Sequence, residues 1–175
     1  GNAPAVSNAD RLPSTIGGIT RLAYARAKAA DIALDPLLKK AGLTRLQIED
    51  AKAVIRVRDQ IKFLDFVAAA LEDDCLGFHL ARTADLRQIG LLYYVLASSK
   101  TLIEALQRAA RYSSINNEGI MQRCINGKSV GISIHYVGVS RHLDQHQIEF
   151  WMTVLLRTCQ QLTGLRLRPE RVRLK

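Results

Sequence analysis

His142 and His146 stand four residues apart, a spacing that on a helix turns both imidazoles to one side, with the Asp144 carboxylate between them. Such a pair can begin a metal site, but a closed site needs a further ligand and none is evident. His142 also falls ahead of the helix that Asp144 would cap. The pair therefore reads as a solvated helix start, and no metal is expected. Ser98 and Ser99 invite a nucleophile reading with His79 or His135 as base. No Gly-x-Ser-x-Gly elbow surrounds them, and a loop ahead of a helix start accounts for both. No catalytic residue is assigned and no enzyme is expected. Neither a Gly-x-Gly-x-x-Gly run nor a phosphate loop occurs, so no nucleotide or other cofactor is indicated.

A pocket for a small molecule needs an apolar cavity with a few polar groups that fix orientation. Tyr93, Tyr94, Tyr112 and Trp151 offer aromatic walls with polar handles. Asn116, Asn117 and His135 offer hydrogen bonds. Arg56, with Arg58 and Arg87 as alternatives, offers a bidentate partner for a carboxylate or phosphate. Against this set stands the plain reading of core packing for the aromatics and solvation for the rest.

Three cysteines, Cys75, Cys124 and Cys159, are an odd number without Cys-x-x-Cys spacing. Their apolar neighbours mark them as small buried hydrophobes, and a reducing cytoplasm fits them. The chain has 175 residues, 48% of them hydrophobic and 23% charged, which is a globular balance. No apolar run approaches the roughly 20 residues of a membrane helix. Gly1 to Pro13 has no apolar block flanked by positive charge, and residues 1–14 read as a flexible lead-in to one domain over 15–175. The net charge of +9 points to a nucleic acid or an anionic ligand, although a solvated basic surface is the simpler account. The one dense cluster, Arg166, Arg168, Arg171, Arg173 and Lys175, alternates like a half-exposed strand rather than a phosphate-binding arm.

The elements that would position these groups follow from periodicity. Ile19, Ala23, Ala27, Ala30 and Leu34 mark a first helix. A second starts at Asp35-Pro36 and stops at Gly42, and Thr44 to Asp50 forms a further turn. Ala53 to Arg58 is β-branched and extended, and Asp59 is placed to cap a helix whose inner stripe is Ile61, Leu64, Ala68 and Leu71. Short helices follow over Cys75 to Arg82 and Gly90 to Ala97. Thr101-Leu102-Ile103-Glu104 is a capping box, with Glu104 and Arg108 paired one turn apart. From Glu118 the period changes to two. Strands on either side of Asn126-Gly127 predict a hairpin, with Val130, Ile132, Ile134 and Tyr136 inward. Asp144 caps a long helix with Ile148, Trp151, Leu155, Cys159 and Leu162 inside, Gly164 ends it, and Arg168 to Leu174 is a last strand. The expected fold is α+β, an N-terminal helical layer packed on a small, mostly antiparallel sheet, with one long C-terminal helix. A strand edge left open at the last residues is a liability, so the polypeptide is expected to continue.

The run GLLYYVLASSKTLIEALQRAARY, Gly90 to Tyr112, resembles the sensing domain of AraC-type transcriptional regulators with an arabinose-binding-like N-terminal half. The resemblance rests on Ser98, Ser99, Thr101, Leu102, Glu104, Ala105, Leu106, Arg111 and Tyr112. Asp74-Cys75-Leu76-Gly77-Phe78, Gly42-Leu43 and the order of hairpin and long helix add to it, over roughly Ile16 to Lys175. It implies a cytoplasmic domain that binds a small-molecule effector, forms a homodimer and controls an attached helix-turn-helix half, with DNA bound only through that half. A dimerisation or protein-interaction module without a ligand is the alternative.

Overall fold

A computed structural model describes residues 18–53, 55–89, 91–115, 120–127, 129–136, 138–140 and 142–174. The lead-in lies outside them. The element order is α1 (Gly18–Ala29), α2 (Leu34–Ala41), α3 (Arg45–Glu49), α4 (Val57–Leu71), α5 (Leu76–Thr83), a 3₁₀ turn (Leu86–Ile89), α6 (Leu91–Ala97), α7 (Leu102–Ile115), β1 (Ile120–Asn126), β2 (Val130–Tyr136) and α8 (Gln145–Thr163).

The expectation of a helical layer on an antiparallel sheet is overturned. The chain is mostly helical, and the β structure among the described residues is one two-stranded hairpin. The missing third strand is Arg168 to Leu174, which forms neither strand nor helix. Pro169 has no amide hydrogen for a ladder, and arginine at every second position of 171–173 leaves little apolar surface to hold a strand against a neighbour.

The core forms around α4. Phe63, Leu64 and Val67 are fully buried and meet Ile19, Ala23 and Ala27 of α1, Leu38 of α2 and Phe150 and Val154 of α8 in one cluster. Two side chains tie the N-terminal helices together. Gln60 Nε2 donates to Thr20 Oγ1 at 2.8 Å inside the core, and Arg21 donates to the carbonyls of Ile48 and Asp50 at the end of α3. Gly42 ends α2 at φ +80°, a conformation that favours glycine. Thr44 and Gln47 form a capping box at α3 that the sequence reading passed over.

Several boundaries differ from expectation. Helix α4 begins at Val57 with Arg56 at its N-cap, so Asp59 lies in the first turn and does not cap. Its carboxylate is buried against Arg56 and the positive end of the helix. The described residues of the Ala53 to Arg58 stretch form no strand. Asp144 holds the N-cap position of α8, yet its carboxylate makes no capping hydrogen bond and is buried. In the hairpin, Asn126 pairs with Val130, so the connection spans 127–129 and Asn126 is a strand residue.

Candidate functional site

Helix α8 is the element on which the remaining pieces converge. One side packs on α5 at Gly77, where a Cβ would collide with the backbone carbonyl of His146 and lie 2.8 Å from Glu149 Cβ. Arg157 holds the far end of the same pair by donating to the carbonyls of Ala81 and Ala84. The other side meets β2. The alternation of β2 turns Ile134 and Tyr136 inward and leaves Ser133 and His135 partly exposed.

At this junction the indole Nε1 of Trp151 donates to the Tyr136 hydroxyl at 3.1 Å, with both side chains about 5% exposed. Phe150 stands edge-on to the indole, centroids 5.4 Å apart. One turn before Trp151, on the same stripe of α8, Gln147 is 1% exposed and its Nε2 has no hydrogen-bond partner among the described residues. Buried polar groups are normally satisfied, so a free amide donor one turn from an aromatic pair is what a ligand oxygen would complete.

The expected ligand set is only partly assembled. Trp151 stands in the junction. His135 is on β2 but on the face opposite Tyr136. Tyr93 and Tyr94 meet edge-on at 5.7 Å, and the Tyr93 hydroxyl accepts from Gln161 near the C-terminal end of α8. Tyr94 is 60% exposed and Tyr112 partly buried on α7. Arg56 is engaged by Asp59 at 2.7 Å, beside Gly42 at the start of α4. Asn116 and Asn117 lie outside the described residues. Tyr136 and Gln147 were passed over as site residues. The inward alternation of β2 already marked Tyr136 as buried, and a glutamine four residues before a tryptophan on an apolar stripe was the available signal for Gln147.

The histidine pair does not converge. His142 is exposed ahead of α8, whereas His146 is buried with its ring nitrogens 3.8 Å from Asp65 and 3.6 Å from Glu149. Among the described residues no group of three metal-ligating side chains comes together. Ser98 and Ser99 both donate to the carbonyl of Val95 at the end of α6. Cys75 is exposed, contrary to expectation, while Cys159 is buried and its thiol is pushed up to about 11 by that burial. Burial also pushes the Asp73 carboxyl up, but the hydrogen bond from His79, the Cys75 amide and the charge of Arg26 outweigh it and hold the carboxyl below its ordinary range.

No described helix is long and apolar enough to cross a membrane. No curated protein matches the chain. Residues 32–175 match the family described as the arabinose-binding domain of AraC transcription regulator, N-term. The match starts later than the resemblance implied and leaves α1 ahead of it, although α1 packs into the same core. With the match running from the start of α2 through the hairpin, α8 and the segment after it, the chain belongs to the family of N-terminal arabinose-binding domains of AraC transcription regulators.

Proposed function

We propose that this domain binds a small effector where the hairpin crosses α8, and that binding biases the placement of an attached helix-turn-helix half. Membership in a family of regulator sensing domains carries the reading. The Trp151–Tyr136 pair and the free amide of Gln147 support its location. The aromatic pair supplies apolar walls, and the amide donates to a carbonyl, hydroxyl or carboxylate oxygen of the effector. Control of the attached half requires unequal affinity for two arrangements, since a ligand that binds both equally shifts neither. A site on α8 meets this need, because that helix touches α4, α5, α6 and the hairpin together.

Trp151 is the only tryptophan in the chain, so its emission reports on the junction without labelling. Thermal unfolding is to be followed with sugars, amino acids, organic acids and fatty acids in turn. A true effector at a hundredfold excess over its Kd stabilises by about 2.7 kcal/mol. For a domain of this size that is an upward shift of roughly 5–10 °C, with a change in indole emission. Shifts that leave the emission untouched would move the site away from α8. A panel that shifts nothing would favour an interaction module without a ligand.

A further inference from the structure

The segment after α8 carries four arginines against the lone Glu170 within residues 165–174. Read as a strand, its alternation would tuck half of these side chains against a sheet. The structure removes that account: residues 166–169 and 171–174 are without regular structure, and Arg166, Arg168, Arg171 and Arg173 are all exposed. None of the four has an ion-pair partner among the described residues. Elsewhere in the chain several cations are neutralised locally, as in Arg26–Asp73, Arg45–Asp35, Arg56–Asp59 and Arg108–Glu104. Other cations outside ion pairs are spread over the helices, whereas residues 166–173 hold four within eight positions.

The segment is not loose where it leaves the domain. Gln160 Nε2 donates to the Leu167 carbonyl at 2.8 Å, and Leu167 packs, partly buried, against the core. That anchor fixes the root of the arm. The chain turns at once, the Leu167 amide donating to the Leu165 carbonyl at 3.0 Å around Arg166, and Arg166 and Arg168 flank the anchored Leu167 as exposed side chains. Arg171 and Arg173 follow, also exposed. Four exposed guanidinium groups on one short stretch suit several neighbouring anions better than one small anion.

We propose that residues 166–173 form an arm that contacts the phosphate backbone of duplex DNA without reading sequence. The partner follows from the chain's family, a transcription regulator in which this domain is the N-terminal part. The C-terminal edge of the domain is then the edge nearest the remainder of the regulator. Arginine is well suited to the task, since its planar fork meets phosphate oxygens in pairs.

The test uses the present chain and a mixed-sequence duplex, with binding followed by fluorescence anisotropy at increasing NaCl. Each neutralised phosphate contributes about −0.9 to the slope of log K against log salt. Four contacts predict a slope between about −3 and −4 for the chain. The variant R166Q/R168Q/R171Q/R173Q, altered only at exposed positions outside helices and strands, is expected to lose most of that slope. A charge-matched control, K39Q/K40Q/K52Q/K62Q, is expected to keep it. Absence of binding at low salt, an unchanged slope in the arm variant, or an equal loss in the control would each overturn the proposal. Binding to phosphatidylserine vesicles with none to the duplex would assign the arm to a membrane and overturn it as well.

Discussion

Trp151 was legible from sequence because a large aromatic on a 3.6-residue stripe must face the core. Its partner was less so, since the hydroxyl of Tyr136 arrives from a strand whose register no local pattern fixes. The Arg56 pairing was missed for a related reason: its carboxylate partner, Asp59, was read as a helix cap rather than as a neighbour three positions on in the same helical turn. At this scale the Asp73 carboxylate gives a pH prediction. A carboxyl whose folded value lies below its unfolded one, about 3.9, contributes stability that is present above that unfolded value and lost as pH falls through the folded one. D73N is therefore expected to be less stable than the parent chain at pH 7, with the difference shrinking towards pH 3. Urea midpoints of the two proteins across that range check it, and a difference independent of pH would refute the assignment.

Helices α2 and α7 were placed nearly to the residue, because glycine at φ +80° and a capping box are local devices whose chemistry needs no tertiary partner. In α7 the Glu104 amide donates to Thr101 Oγ1, and the Glu104 carboxylate accepts from the Lys100 amide, one position earlier than a reciprocal box would have it. T101A is expected to cost about 1 kcal/mol, with T101S nearly neutral; denaturant titration separates them. Strand assignments fared worse. The hairpin formed because two runs of alternating sequence lie next to each other in the chain. Arg168 to Leu174 needed a distant edge to pair with, and alternation alone cannot supply one. The extended reading of Ala53 to Arg58 failed at its end, where Val57 and the residues after it joined the core through a helix.

For the molecule as a whole, the order of helices and hairpin and the family were readable, while the class of fold was not. Helix-forming stripes dominate the chain, but their balance against β structure depends on which segments find partners. The close approach of Gly77 to the His146 backbone was visible only as part of a resemblance. Nothing in the spacing says that two backbones will touch there. G77A is expected to destabilise the domain by at least about 3 kcal/mol, since the obstruction is a carbonyl that cannot rotate aside; thermal unfolding of the variant tests it. With no side chain between them, α5 and α8 meet backbone to backbone at Gly77, and Arg157 ties the same two helices again at the carbonyls of Ala81 and Ala84. Trp151 lies on α8 between these two attachments. The stretch of helix that carries the indole is thus pinned on both sides, and any shift of α8 there has to carry α5 with it.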